Sequence, residues 1–331
     1  MNISVVVIAY NEERNIAECL DSLIKQTYTM GEYEVIVVDG ESRDRTPDIV
    51  KEYAARHPRV RFVNNPGRTE SSNRNVGVRR AMHPYIAFTD ADCVCPEHWL
   101  ERLAQGYASC LAADPNVGGV GGGNVSDERF GPVSKAIGLA FDTPFSALGS
   151  QQTRIWDRTK QVESLAMLNV LYPKSLFEEV GYLDESQTCS GEDWIFNYHA
   201  RRLGYRFYFL PDAAVLHKMR TTVPAFARQM YRYGVGRGVI IRKHPRTLTV
   251  RYAAPVLFLA LMLASAAAAA AAGQPALSTP LLAYILFFAA YSFLLCAAKA
   301  SVRYAPLVFG VFLIIHFGYS LGETAALLRR K

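Results

Sequence analysis

Tyr85-Ile86-Ala87-Phe88-Thr89-Asp90-Ala91-Asp92 decides how this chain is read. A short, mostly apolar run has the length of a buried strand, and two carboxylates leave it at its end. Mg²⁺ and Mn²⁺ take hard oxygen ligands and share their coordination shell with substrate phosphates. Paired carboxylates at an open strand end therefore suit a divalent ion that carries a diphosphate. Short Asp-x-Asp strings also serve as turns and helix N-caps, so the surrounding sequence has to choose between the two uses.

Upstream, the pattern repeats. Ile3–Ala9 is rich in β-branched residues; Tyr10-Asn11-Glu12-Glu13 follows, then Ile16, Leu20, Leu23 and Ile24 at helical spacing. Residues 33–38 form a second apolar strand ending at Asp39-Gly40, and Ser42-Arg43-Asp44 leads into a helix carrying Ile49, Val50 and Tyr53. A third strand is expected at 60–63, a helix at 74–81, and the fourth strand at 85–89. Alternating β and α units with apolar strands predict an α/β domain with a mainly parallel sheet, whose ligands lie outside the C-terminal strand ends. Asp39, Asp90 and Asp92 all fall there.

Downstream, the glycine-rich residues 118–124 read as a strand and turn that let two backbones approach closely. Residues 130–159 are expected to hold a helix and a loop. Residues 176–180 read as a helix stopped by Gly181. A further helix starts near Glu192-Asp193-Trp194, with Ile195, Tyr198, His199 and Leu203 on one face and Gly204 closing it.

The net charge of +6 hides two unlike parts. Before about residue 215 charges of both signs alternate with short apolar runs; after Asp212 no acid occurs until Glu323. Between them lie apolar stretches at about 252–273, 276–298 and 305–328, and the first two plainly suffice to cross a bilayer as helices. The expected organisation is a catalytic head at 1–217, a basic interfacial segment at 218–251 and an α-helical transmembrane region at 252–331. The six cysteines include one close pair, Cys93-Val94-Cys95, which lacks zinc-site spacing, so reduced, partly buried thiols are expected. Met1-Asn2-Ile3-Ser4 leads straight into a strand without signal-peptide features, which predicts a cytosolic head. The basic residues of 242–251 place the start of the first membrane helix on the same side. The third segment is expected to cross fully, with Gly310 and Gly318 as candidate bends if it does not.

Five elements stand in order: the strand before Tyr10-Asn11-Glu12-Glu13, Asp39, Asn73-Arg74-Asn75-Val76-Gly77, Asp90-Ala91-Asp92, and Gly191-Glu192-Asp193-Trp194. Over about residues 1–217 this order resembles the inverting glycosyltransferases of family 2, which have the GT-A fold, a Rossmann-like architecture for nucleotide-diphospho-sugar transfer. The resemblance implies a nucleotide-sugar donor and a divalent metal, Mg or Mn. It assigns Asp39 to the nucleotide base, as an acceptor of ring or exocyclic N–H groups, although an Asp there also caps a turn. Arg68, Asn73 and Arg74 match the segment flanking the donor, where guanidinium can pair with diphosphate. Asp90 would face the ribose, and Asp92 would bind the metal. His217 matches a histidine near the metal and diphosphate, while a lone histidine also fits a structural role. Asp193 matches the general base that takes the acceptor proton; Glu192 and Trp194 beside it are acceptor or diphosphate candidates. Acids at a helix N-terminus also complement its dipole.

A base is superfluous for a phosphate acceptor, which is already an anion, so the Glu-Asp pair favours a hydroxyl acceptor on a sugar. Lys218, Arg220, Arg228, Arg232, Arg237, Arg242, Lys243, Arg246 and Arg251 form a basic stretch suited to anionic headgroups and lipid-linked phosphates. Within it Gln229-Met230-Tyr231-Arg232-Tyr233 is similar to the Gln-x-x-Arg-Trp signature of membrane polysaccharide synthases, with Tyr233 in place of Trp. That departure weakens an expectation of processive synthesis. The layout resembles single-addition exopolysaccharide glycosyltransferases, with a lipid-linked saccharide acceptor at the cytoplasmic membrane and no nucleic acid. The alternatives are a polyprenyl-phosphate glycosyltransferase and a catalytically silent membrane scaffold that binds nucleotide sugar.

Overall fold

The structure is a computed structural model, and it describes all residues except 68, 127, 147–155, 187–189 and 330–331. The chain divides into two compact units. The first comprises Met1–Val125, Ser150–Thr188 and Glu192–Lys218; the second comprises Ser126–Gly149, Cys189–Gly191 and Met219–Lys331.

The first unit begins with β1 (Ile3–Ala9), α1 (Ile16–Ile24), β2 (Tyr33–Asp39), α2 (Thr46–Arg56), β3 (Val60–Asn64), α3 (Glu70–Arg80) and β4 (Tyr85–Asp90). It continues with β5 (Cys93–Val94), α4 (Trp99–Ala113) and β6 (Val117–Val125). In chain order α5 (Pro132–Phe141) comes next and belongs to the second unit; β7 (Lys160–Val162), β8 (Asn169–Pro173), α6 (Ser175–Val180), α7 (Glu192–Arg202) and β9 (Arg206–His217) complete the first.

Among the described residues the strands form one sheet in the order β3-β2-β1-β4-β8-β6-β9-β5, with β7 also paired to β9. β3, β2, β1 and β4 are mutually parallel, and β6 and β9 share their direction because β8 runs antiparallel to both β4 and β6. The mostly parallel α/β reading therefore holds. Alternation along the strands covers both faces. Val5, Val7, Val35 and Val37 join Leu20, Leu23, Trp99 and Leu103 in one apolar cluster. Val6, Ile36 and Val38 join Val78, Phe177 and Phe196 in the other. Each such side chain contributes about 1.5–3 kcal/mol when fully buried.

The glycines of β6 allow the expected close approach: a Cβ on Gly122 would lie 1.9 Å from the Ala213 carbonyl oxygen, and one on Gly119 2.4 Å from the Tyr172 ring. Some expectations need correction. α3 starts at Glu70, four residues earlier than 74, because Thr69 caps it by accepting the Ser72 N–H. On α7 the buried positions are Glu192, Ile195, Phe196, Asn197 and Ala200, whereas Leu203 is exposed; the apolar stripe follows i, i+1 and i+5 instead of the face drawn through Leu203. The described cysteines are free, as expected, and all are buried.

The second unit contains α5, α8 (Val223–Lys243), α9 (Val250–Ala272), α10 (Thr279–Ala298), α11 (Ala305–Leu313) and α12 (Tyr319–Leu328). Its core unites Ala136, Ile137 and Ala140 with Phe226, Met230, Phe288, Val311 and Phe312. Three helical stretches, Val250–Ala272, Pro275–Ala298 and Val302–Leu328, are long and apolar enough to cross a membrane. The third is interrupted by a π-helical turn at Ile314–Gly318, so Gly318 marks the irregular point, and Gly310 does not. α8 packs on α12 through glycines. A Cβ on Gly234 would meet the Tyr319 carbonyl oxygen at 2.0 Å, and one on Gly322 the Tyr231 carbonyl oxygen at 2.1 Å. Gly234 and Gly238 are the small residues of a Gly-x-x-x-Gly pair that lets helix backbones approach this closely.

Candidate active site

Parallel pairing in register brings the C-terminal ends of β1, β2 and β4 together: Ala9 lies opposite Asp39 and Ile8 opposite Asp90. Asp39 is fully buried. Its carboxylate accepts from the Ser42 backbone N–H at 2.9 Å and the Ser42 hydroxyl at 2.5 Å. Both oxygens thus hold the turn after β2, while a carboxylate retains capacity for further donors. Asn73 packs beneath that turn. A Cβ on Gly40 would lie 2.8 Å from Asn73 Nδ2, and Asn73 Oδ1 accepts from Asn65 at 2.8 Å.

The pairing of β5 with the end of β9 sets Cys93 opposite His217. Ligand atoms of Asp92, Cys93 and His217 lie within 4.8 Å of one another, and Asp92 Oδ2 is 3.5 Å from His217 Nε2. Two ligands at right angles on an ion with bonds near 2.1 Å would lie about 3 Å apart, so the carboxylate and imidazole are spaced for one centre. Burial pushes the Cys93 thiol up, and Cys95, Asp92 and Asp90 add to it. Asp92 and His217 offer an oxygen and a nitrogen donor, a set that fits Mn²⁺ or Mg²⁺ completed by phosphate and water. The Lys218 N–H donates to the Asp92 carbonyl at 3.0 Å, and Lys218 Nζ pairs with Glu18 at 2.6 Å, which fixes the chain just after His217.

Beside this lies a buried charge cluster. Arg74 Nη1 is 2.6 Å from Glu192 Oε1, and Nη2 is 3.1 Å from Asp90 Oδ1. Glu70 stands 3.7 Å from Nη1 at the more exposed edge. Burial opposes the guanidinium charge, but Asp90, Glu192, Glu70 and Asp193 outweigh it and raise the Arg74 pKa. Asp90 is pushed up to about 7 by burial, helped by Asp92 and Glu70 and opposed by Arg74 and His217. Burial likewise pushes Glu192 up against the pull of Arg74.

Asp193 occupies the first turn of α7, where one oxygen accepts the Trp194 N–H at 2.6 Å. Trp194 stacks on Tyr198, with ring centroids 5.4 Å apart and planes 13° from parallel. The first unit thus holds Asp39, Asn73, Arg74, Asp90, Asp92, Glu192, Asp193, Trp194 and His217. Arg68 lies outside the described residues. Gln229, Arg232 and Tyr233 lie on α8 of the second unit, where Gln229 donates to the Tyr233 hydroxyl at 2.9 Å and Arg232 is exposed. Sequence reasoning missed the placement of Cys93 beside Asp92 and His217, which comes only from its register with His217, and the role of Asn75. Asn75 donates to Leu183 O and Glu185 Oε1, both at 2.9 Å, and so ties the turn after α6 to α3.

A mostly parallel sheet presenting carboxylates at its C-terminal strand ends is the architecture of GT-A glycosyltransferases. Residues 85–309 match the glycosyl transferase family group 2 and residues 4–157 glycosyl transferase family 2; the chain belongs to this family and is a glycosyltransferase. It is 26% identical over 245 residues to a Methanococcus voltae protein, covering 73% of this chain and 74% of that one. That relative is named dolichyl N-acetyl-α-D-glucosaminyl phosphate 3-β-D-2,3-diacetamido-2,3-dideoxy-β-D-glucuronosyltransferase. The succinoglycan biosynthesis protein ExoA of Rhizobium meliloti is 28% identical over 273 residues, 78% of each chain. Among solved structures, a Pyrobaculum calidifontis mannosyltransferase in complex with GDP-Man and Mn²⁺ matches with a TM-score of 0.63 at 23% identity, covering 95% of this chain and 86% of that one. That likeness supports the fold.

Proposed function

We propose that this chain is a metal-dependent inverting glycosyltransferase that moves one sugar from a nucleotide-sugar to a hydroxyl of a lipid-linked saccharide, at the cytosolic face of the cytoplasmic membrane. The observation that carries the reading is the convergence of Asp92 and His217 in the same unit as Asp193, whose helix is bonded through Glu192 and Arg74 to Asp90. Asp39 is assigned to the nucleotide base, Asp90 to the ribose, and Asp92 with His217 to the ion. A bound divalent ion supplies Lewis-acid stabilisation of the departing nucleoside diphosphate. Asp193 takes the proton of the acceptor hydroxyl as its oxygen attacks the anomeric carbon from the face opposite the leaving group, which inverts the centre.

The acceptor assignment draws on the names of the relatives, one acting on a dolichyl-linked sugar phosphate and one in succinoglycan biosynthesis. Arg228, Arg232, Arg242 and Lys243 are exposed on α8, as attraction to anionic headgroups and lipid-linked phosphates requires. We assign residues 1–217 to catalysis, 218–251 to the interface and 252–331 to the membrane. The cytosolic orientation follows from where nucleotide sugars are made and from the basic residues at 242–251.

The test uses the full-length protein with a panel of radiolabelled nucleotide sugars, extracted carrier lipids, and Mn²⁺ or Mg²⁺ against a chelator. Metal-dependent label on a lipid-linked saccharide is expected, and Asp193→Asn is expected to lower kcat by roughly 10²–10⁴ with donor binding retained. Transfer to polyprenyl phosphate alone, unaffected by Asp193→Asn, would replace this reading with the phosphate-acceptor one. Nucleotide-sugar binding without turnover across the panel would favour a scaffold.

A further inference from the structure

A guanidinium that serves a diphosphate must present its N–H groups to the ligand, and that of Arg74 does not. Its side chain is 4% exposed, and both terminal nitrogens are committed to carboxylates. Nη1 reaches Glu192, 118 residues away in sequence, and Nη2 reaches Asp90, 16 residues away. The remaining nitrogen, Nε, is buried without a hydrogen-bond partner among the described residues. Glu192 is itself 8% exposed.

We propose that Arg74 is a positioning residue that ties the strand end carrying the donor-site acids to the helix carrying the base, and that it does not bind the diphosphate. This rests on the assignment of Asp193 as the base. Asp90 closes β4, and Glu192 opens α7 immediately before Asp193. A planar fork satisfies two carboxylates on separate elements at once, a geometry a lysine ammonium cannot reproduce. Arg74 also supplies the positive charge that lets the half-buried Asp90 and the buried Glu192 lie about one guanidinium without mutual repulsion driving them apart. Loosening the tie would let α7 shift, and displacing a base by about 1 Å can cost on the order of 10²-fold in rate.

Arg74→Lys and Glu192→Gln separate this role from phosphate binding, because each leaves a side chain of similar size in the buried cluster. Two measurements on the full-length protein are needed: the affinities of Mn²⁺-UDP and Mn²⁺-GDP by titration calorimetry, and amide hydrogen exchange across residues 192–202. For both variants, exchange over 192–202 is expected to speed up by roughly tenfold or more while affinity for whichever nucleotide binds changes by less than about threefold. With the donor that turns over, kcat is expected to fall by about 10–100-fold at a nearly constant donor KM. The double variant is expected to be little worse than the poorer single one, since both changes break the same tie. Unchanged exchange over 192–202 would overturn the proposal, as would a tenfold loss of nucleotide affinity confined to Arg74→Lys. If the unmodified protein binds neither nucleotide, the functional reading fails, and the exchange measurement still decides whether Arg74 fixes α7.

Discussion

Outside the Arg74 cluster each unit buries a glutamate, and the two are treated in opposite ways. Glu34 lies near the start of β2, 3% exposed, and accepts hydrogen bonds from Ser4 Oγ at 2.7 Å, Arg61 Nη1 at 2.6 Å and the Met82 N–H at 2.7 Å. Glu323 on α12 is fully buried, yet neither carboxyl oxygen has a hydrogen-bond partner among the described residues; Arg237 is its charged neighbour. At Glu34 the first unit fixes a buried carboxylate by direct bonds between distant segments. The second derives its register from backbone contact, glycine against carbonyl oxygen, and leaves a polar group within it. Rigid bonded charges suit a site that must hold an ion and a base in fixed positions. Close packing of α8 on α12 rests on van der Waals fit between backbones at small residues.

If the bonded charges of the first unit serve the site, removing one at the ion should cost activity far more than stability. Asp92→Asn keeps the shape but loses the charge. We expect transfer to fall by about 10³-fold or more, the scale of several kcal/mol of Lewis-acid stabilisation. The thermal midpoint should move by less than about 4 °C, about 1 kcal/mol in a domain of this size. Assays at saturating Mn²⁺ beside a melting curve check both. Near-normal turnover would remove Asp92 from the ion site; a collapse of the midpoint would make its charge structural.

The second unit should be sensitive to one methyl group at the right place. Gly234→Ala sets a Cβ 2.0 Å from the Tyr319 carbonyl oxygen, so α8 and α12 must separate, at about 1–3 kcal/mol. Gly310 provides the control, because a Cβ there meets nothing within 4 Å. Gly310→Ala should be neutral or stabilise by up to about 1 kcal/mol, the helix-propensity difference. Thermal unfolding of the detergent-solubilised protein should separate the two variants. Equal midpoints would show that the helix pair spreads without cost.

These contrasts also explain what was legible in the sequence. β1, β2 and β4 could be read because strands buried on both faces need continuous apolar residues, and the acids at their ends stand out by contrast. Asp92 and His217 were found by motif, and strand pairing brought them together across more than 120 intervening residues. Motif reading misses what depends on distant partners. Arg74 sits in a pattern that implies phosphate binding, but only folding shows its two terminal nitrogens bonded to Asp90 and Glu192. The Gly-x-x-x-Gly pair of α8 was visible as letters, yet the basic residues around it suggested an interfacial connector and concealed its packing on α12.

Glu34 gives the smallest and most pH-dependent test of the comparison. Burial raises its pKa, but the Met82 N–H, the Ser4 hydroxyl and Arg61 together outweigh burial and hold it below the ordinary 4.5. A folded-state value below the unfolded one means that the unfolded chain binds the proton more readily. The stabilisation is therefore complete above about pH 4.5 and is lost as pH falls through the lower, folded-state value. Glu34→Gln removes the charge, and the amide leaves at least one of the three donors facing another donor or nothing, at about 1–3 kcal/mol at neutral pH. Melting curves of the two proteins should be separated at pH 7 and converge as the pH is lowered below 4.5. A gap that stays constant from pH 7 to pH 3.5 would mean that the cost is one of shape, and that Glu34, like Glu323, owes its burial to packing and not to its bonds.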